Sequence, residues 1–465
     1  MLVIEILAAR ILAPYLGVSL EVFTGIIAVV LAGISIGAWL GGRAADRREP
    51  RPLVGPLLVA GGLTSLTAPL IVDAIGPALA TGPVSIVLAS ALGFFAPAAL
   101  LSAVSPIVVK IRLASLDRTG SVVGSYSAIG TAGAIFGTFV TGFVLIAAFP
   151  TRPIVVVLGA SLTLAGLGLW VTGRQHRAVP IVVALAGLGA LLFVFDGPCG
   201  HETTYHCAIV EVDESRQSGR TLLLDRVRNS YIDLEDPTHL EFRYIQLIAD
   251  IINTEAPSGP LEVVSIGGGG FTLPGYLHAT RPGSENTVLE IDGSLVEIGT
   301  RQLGLAEEID VIVDDARVSL QDLEDDLADV VIGDAFSGAS VPWHLTTVEF
   351  DADIKRVLAP DGIYTMNVID YGRREFVRSA SATLLQEFSH VALFAPPSYV
   401  DGTGGGNFVL VASEAPIDVA EIESVIRSRG GSEQGITGDS LQDFIAGADV
   451  LTDDFAPVDQ MVGRP

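Results

Sequence analysis

Before residue 195 the chain is a succession of apolar blocks, near 22–42, 52–74, 78–104, 122–149, 153–172 and 179–195, with a shorter one near 2–18. A helix needs roughly 20 apolar residues to cross the hydrocarbon of a bilayer, and in lipid only helices and closed barrels satisfy their own backbone. Blocks of this number and length argue against buried helices of a soluble protein. Residues 1–195 are expected to form an all-α polytopic membrane domain of about seven helices, with the lipid bilayer as a partner. The opening block has neither a basic lead nor a small-residue cleavage site, so it reads as a truncated first helix rather than a signal peptide. Its Glu5 and Arg10 are expected to pair with each other or with Glu21, because charges inside a span need partners.

Basic residues cluster at Arg43, Arg47, Arg48 and Arg51, at Lys110, Arg112 and Arg118, and at Arg174 and Arg177. The positive-inside rule places all three loops in the cytoplasm, and one further span then carries residue 196 outside. Cys199 and Cys207 are the only cysteines and follow the last block at once. A disulfide between them favours the outside and free thiols favour the cytoplasm. A zinc site needs more ligands than two cysteines, although His201 and His206 lie close by. The side of the membrane stays open at this level.

Charge divides the chain at the same place. Residues 1–195 carry 11 basic and 6 acidic side chains, leaving 16 basic and 47 acidic ones for the rest. A polyanion lacks the Lys and Arg that displace counterions from phosphate backbones, so no nucleic-acid partner is expected. With Lys110 and Lys355 as its only lysines, the chain looks like proteins adapted to high salt, where counterions screen self-repulsion.

The acidic half contains short apolar runs that end in acids or glycines. Val263–Ile266 precedes Gly267, Gly268, Gly269 and Gly270; Thr287–Leu289 precedes Glu290 and Asp292; Ala328–Ile332 precedes Gly333 and Asp334. Strand-length runs alternating with helix-length segments predict βαβ units and a parallel sheet, with ligands beyond the carboxyl ends of the strands. Gly267, Glu290 and Asp334 should therefore converge. The turn lacks a third glycine at Thr272, so it is no dinucleotide fingerprint. Glu290 lies where a carboxylate can hold ribose hydroxyls, and Asp314 and Asp315 follow a third run. Residues 207–234 alternate in two runs around Ser218-Gly219 and predict a β-hairpin, and helical periodicity runs from about 240 to 252. Further strands are expected at 308–313, 362–368, 390–395 and 407–412, with a helix near 344–358. The expected domains are 1–195, a linker and hairpin at 196–237, and an α/β Rossmann-like domain at 238–465.

Taken together, Ile266-Gly267-Gly268-Gly269, Leu289-Glu290-Ile291-Asp292, Asp315-Ala316 and Gly333-Asp334-Ala335-Phe336 resemble the polyamine synthase family, which includes spermidine and spermine synthases. Leu222-Leu223-Leu224-Asp225 and Leu451-Thr452-Asp453-Asp454-Phe455-Ala456-Pro457 look like its membrane-fused branch. So do Ala8-Ala9-Arg10-Ile11-Leu12-Ala13-Pro14-Tyr15 and Gly41-Gly42-Arg43-Ala44-Ala45-Asp46-Arg47. The resemblance implies a fold like that of S-adenosylmethionine methyltransferases and transfer of an aminopropyl group from decarboxylated S-adenosylmethionine to a polyamine or other small amine. It implies no metal and admits a homodimer. Gly267, Gly268, Gly269, Glu290 and Asp315 would bind the cosubstrate, with Glu290 on the ribose and Asp315 near the adenine. Asp334 would be the acid that orients the attacking amine and accepts its proton, a role that chemistry requires because a protonated amine is no nucleophile.

The sequence departs from the family at two places. Gly270 stands where the family carries an Asp that contacts the donor's amino group, and Ser337 stands for a second acid beyond the catalytic one. Tyr244 and Gln246 stand in for a Tyr-Gln pair with spacing off by one. Tyr244, Gln246 and Ser337 are the candidate acceptor-binding residues. Two alternatives follow: a methyltransferase using intact S-adenosylmethionine, and a transporter whose second half senses a nucleoside or polyamine. The second draws on Gly37 to Arg47, which resembles the cytoplasmic loop motif of major facilitator transporters.

Overall fold

The computed structural model describes residues 1–17, 20–79, 82–113, 119–146, 149–172, 199–225, 227–336 and 340–463. The apolar block near 179–195, together with Arg118, Arg174 and Arg177, lies outside the described residues. The chain divides into two compact units, one of residues 1–209 with 224–226 and one of residues 210–223 with 227–465.

The first unit is helical. Among the described residues, five of its helices are long and apolar enough to cross a membrane: Leu20–Arg47, Arg51–Ala78, Pro83–Arg112, Thr119–Leu145 and Thr151–Val171. The opening helix, Leu2–Leu16, is shorter. Glycines let two pairs of helices touch backbone to backbone. A Cβ at Gly37 or Gly41 would strike the carbonyls of Ala99 and Ala103, and one at Gly55 or Gly62 would strike Gly166 and Gly159. Small residues of this kind drive helix packing where the surroundings are as apolar as the side chains.

Ion pairs cap this unit. At one end Lys110 bonds Asp46 at 2.8 Å. At the far end of Arg51–Ile75, Asp73 pairs with Arg152 and accepts the Tyr15 hydroxyl at 3.0 Å. At that same end Glu202 accepts the Thr151 amide at 2.9 Å. Arg10 pairs with Glu202 at 3.2 Å and donates to the Thr203 and Thr204 carbonyls. The sequence reading paired Arg10 with Glu5 or Glu21; the chain instead folds a distant segment back onto it. Cys199 and Cys207 form a disulfide. Beside it Asp225 accepts the Cys207 amide at 2.9 Å and meets His206 Nδ1 at 2.8 Å.

Strands are numbered in chain order: β1 His201–Glu202, β2 Cys207–Val212, β3 Gly219–Leu224 and β4 Val227–Asp233, which follow one another in a four-stranded sheet. The expected hairpin is thus a meander, because Asp225 at φ +50 breaks the second run into two strands. Asp233 at its end accepts the Glu235 and Asp236 amides and pairs with Arg216.

The second unit's main sheet contains β5 Glu262–Ile266, β6 Glu285–Leu289, β7 Asp310–Ile312, β8 Ala328–Gly333, β9 Leu358–Asp370, β10 His390–Ala395, β11 Gly406–Ser413 and β12 Gln434–Thr437. Their order is β12-β10-β11-β9-β8-β5-β6-β7. The strands from β7 to β9 run parallel, whereas β11, β10 and β12 add on in antiparallel pairs. The sheet is therefore mixed rather than parallel throughout. Alternation along the strands feeds two cores. Val263, Val330, Ile332 and Val409 face helices 243–255, 272–280 and 419–428, while Val264, Val331, Phe408 and Leu410 face helices 348–357 and 375–387. A sheet buried on both faces explains why its strands read as continuous apolar runs.

Candidate active site

From β5 the chain steps to β6 on one side and returns through β8 on the other, so the direction of winding reverses between β5 and β8. At such a reversal the two loops leave in opposite directions and open a crevice beyond the strand ends. Ile266 is the register partner of Gly333, and the Asp334 amide donates to the Ile266 carbonyl at 2.9 Å. The glycine turn and Asp334 are thereby held side by side. Gly267 takes φ +90, and a Cβ there would lie 2.8 Å from the Asp334 carbonyl oxygen. Only glycine meets both the left-handed torsion and the close approach.

Asp334 is half-buried. Its Oδ1 accepts from Asn367 Nδ2 at 2.8 Å and its Oδ2 from the Tyr244 hydroxyl at 3.3 Å. Burial pushes its pKa up to about 7, and the two hydrogen bonds only partly oppose that rise. Asn407 Nδ2 donates to Asn367 Oδ1 at 3.0 Å, so a chain of two amides from neighbouring strands β9 and β11 ends on Asp334. Burial, with Asp334 alongside, holds the Tyr244 phenol well above its ordinary range, so it stays a donor.

Glu290 is 6% exposed and fully engaged by backbone. Its Oε2 accepts the Gly268 and Gly269 amides at 2.7 and 3.3 Å, and its Oε1 the Asp292 amide at 2.8 Å. Burial raises its pKa while these amides pull it down. Asp292 in turn caps helix 293–302 through the Ser294 amide. Asp315 caps the helix that follows it through the Arg317 amide at 2.9 Å and faces His344 Nε2 at 3.1 Å. Arg317 forms a two-pronged pair with Asp453, both bonds at 2.8 Å. That pairing assigns a scaffolding role to the Leu451–Pro457 motif, which ties the C-terminal segment beside Asp315, and it holds the Asp453 carboxyl below its ordinary range.

The remaining candidates separate. Tyr244 reaches Asp334, but Gln246 on the same helix turns away, donating to the Leu240 carbonyl at 2.6 Å and accepting from Arg429 at 3.1 Å. A two-residue step along a helix rotates a side chain to another face. Ser337 lies outside the described residues. Four site residues had no motif to announce them: Asn367 and Asn407, and Asn229 and Ser230 on β4. Ser230 Oγ accepts the Gly270 amide at 2.9 Å and donates to Asn229 Oδ1 at 2.7 Å. Polar residues inside strands otherwise apolar were the available signal for the two strand amides.

No family model matches the chain. A solved structure does. The crystal structure of a probable spermidine synthase from Corynebacterium glutamicum ATCC 13032 is 29% identical, with a TM-score of 0.53, and the match covers 57% of this chain and 99% of that one. The chain is also similar to a curated polyamine aminopropyltransferase. That protein, from Chromobacterium violaceum, is 24% identical over 160 residues, 34% of this chain and 60% of the relative. An N-terminal histidine N-methyltransferase from Emericella nidulans is 24% identical over 299 residues, 54% of this chain and 51% of the relative. The chain thus spans only part of the curated relatives' length.

Proposed function

We propose that the protein is a membrane-bound aminopropyltransferase of the spermidine synthase type, moving the aminopropyl group of decarboxylated S-adenosylmethionine to an amine. The observation that carries the reading is Asp334: a half-buried carboxyl with a pKa of about 7, aimed by Tyr244 and Asn367, at the sheet's reversal point beside the glycine turn. The similarity to a probable spermidine synthase supports it.

In this reading the nucleoside lies across the ends of β5 and β6. Glu290 shapes the turn through its backbone amides, and Asp315 borders the pocket. Asp334 holds the acceptor's ammonium and takes its proton. The freed nitrogen then attacks the propyl carbon bonded to sulfur, the C–S bond breaks, its electron pair stays on sulfur, and methylthioadenosine leaves neutral. A carboxyl with a pKa near 7 suits this step, because it ionises near neutrality and is still basic enough to accept a proton. The ionised carboxylate also stabilises a cationic donor and acceptor.

The first unit is read as embedded in the bilayer. Arg43, Arg47 and Lys110 belong to one end of the bundle, and Asp73, Thr151, Glu202 and the disulfide to the other. The positive-inside rule puts the first end in the cytoplasm, and a disulfide suits the opposite, oxidising side. Both arguments send the second half of the chain outside the cytoplasm.

Calorimetric titration of the detergent-solubilised full chain with decarboxylated S-adenosylmethionine, S-adenosylmethionine and methylthioadenosine tests the enzyme reading. Preference for the decarboxylated donor is expected. Preference for intact S-adenosylmethionine would move the protein to the methyltransferases, which the Emericella match favours, and no binding would leave a sensing domain.

A further inference from the structure

At the end of the helical unit that carries the disulfide lies a cavity of about 300 Å³. That is the lower end of the roughly 300–1,000 Å³ that small-molecule sites span, enough for one substituted ring. Ile6, Ile11, Phe23, Pro69 and Ile146 give it apolar walls, and Arg10, Asp73, Arg152 and Glu202 supply charged groups. All of these residues belong to the first unit.

These four charges cancel, and each is already matched. Arg10 pairs with Glu202 and donates to Thr151 Oγ1 at 3.2 Å and to the Thr203 and Thr204 carbonyls. Asp73 takes Arg152 and the Tyr15 hydroxyl. A charged ligand would have to break one of these pairs and leave a partly buried charge alone, which is strongly unfavourable. A neutral ligand would not. Among the described residues Arg152 gives Nη2 to Asp73, and its Nε and Nη1 keep their N–H donors. Those donors call for an acceptor oxygen, so the ligand is neutral, mostly apolar and carries a carbonyl-type oxygen.

The wall singles out a quinone among such molecules. Cys199 and Cys207, joined as a disulfide, both line the cavity. So does His206, next to Cys207 in the chain, with its Nδ1 held by Asp225 at 2.8 Å. An imidazole changes charge near neutral pH and can carry a proton away from a thiol. A sulfur pair that can give up two electrons, a proton carrier and a neutral pocket with carbonyl donors are the parts of a reaction between a dithiol and a quinone.

We propose that this cavity is a quinone site at which the thiols of Cys199 and Cys207 are oxidised to the disulfide. Two S–H bonds break and one S–S bond forms. The electron pair passes to the quinone ring and the two protons end on its oxygens, so the quinone leaves as a quinol. His206 takes the first thiol proton, because the thiolate is the reactive form, and Arg152 holds the carbonyl oxygen on which negative charge gathers. The proposal goes beyond the transferase reading and takes from it only the bilayer, the medium that holds an apolar quinone.

The test starts from the full-length protein in detergent, reduced, freed of reductant without air and mixed with decylubiquinone. Quinol is followed by absorbance and thiols by maleimide labelling, with diamide as an oxidant that needs no quinone site. The wild type is expected to give one quinol for each cysteine pair, at a rate that saturates with quinone concentration. Ala9→Phe, which fills the cavity, should slow oxidation by the quinone about tenfold or more while diamide acts within about twofold of its wild-type rate. Asp73→Asn combined with Arg152→Leu removes the donors and their counter-charge together, and it gives an answer even if the larger residue prevents folding. That pair should raise the half-saturating quinone concentration about tenfold. Oxidation that does not saturate, or that runs equally fast in the wild type and these variants, would overturn the site and leave the disulfide a staple only. Because no nucleoside enters the reaction, either result leaves the transferase reading where it stands.

Discussion

The turns after β6 and β8 each place an acid at the carboxyl end of a parallel strand, Glu290 buried and Asp334 half-buried, yet the two acids are built for different work. Glu290 accepts three backbone amides, whereas Asp334 accepts from two side-chain donors among the described residues. Backbone amides are fixed by the fold, so Glu290 holds the glycine turn in shape. Side-chain donors leave Asp334 under-stabilised as an anion, and burial dominates its pKa. The same sequence pattern, an apolar run ending in an acid, thus yields one carboxylate spent on backbone amides and one that the proposed function makes the reactive group.

Removing the reactive acid should have the largest effect. Asp334→Asn keeps the shape and the Tyr244 bond, and turnover should fall by about 10²–10⁴-fold while methylthioadenosine affinity holds, as measured by product release and by titration. Retained turnover would erase the distinction between the acids. The same variant sharpens it through stability. Because the folded pKa lies above the ordinary carboxyl value, ionisation opposes folding: wild-type stability should fall as pH rises from about 4 through 7 and then level. Asp334→Asn should be more stable than wild type at pH 8, with the gap closing toward pH 4, in denaturant melts at both pH values.

Glu290→Ala attacks the other acid. It strands three amides, and stability should drop by about 1–3 kcal/mol with weaker nucleoside binding, read by melting and by calorimetry. Turnover at saturating donor should suffer less than in Asp334→Asn; the reverse order would exchange the two roles. A smaller effect is expected from Asn367→Leu, which removes a bond that favours the Asp334 anion. The pH midpoint of kcat/KM should move upward and kcat fall by about tenfold. Asn407→Leu, one bond further out, should shift the same midpoint less, and a larger shift than Asn367→Leu would break the proposed order of the amide chain.

Much of this was legible before the structure. The strand-end positions of Gly267, Glu290 and Asp334 follow from the alternation of runs, because strand ends at a winding reversal must converge. The five long helices described in the first unit follow from block length alone. What sequence could not show was the cross-chain pairing. Asn367 and Asn407 meet only through the antiparallel register of β9 and β11, and Ser230 reaches Gly270 only because β4 packs on the turn. Gln246 was misdirected for a related reason: its partner, Arg429, lies 183 residues away. Arg10 likewise finds Glu202 across 192 residues. Local pattern fixes which strand end an acid occupies, while the identity of its hydrogen-bond donors is a property of the assembled sheet.

The central claim is that Asp334 serves as the base for transfer to an amine. Its most direct test is release of methylthioadenosine from decarboxylated S-adenosylmethionine and a panel of amines, followed from pH 5 to 9 for the wild type and Asp334→Asn. The account predicts amine-dependent release that rises through a midpoint near pH 7 in the wild type and is all but lost in the variant. Release that proceeds equally in both proteins, or that shows no midpoint in this range, would contradict it.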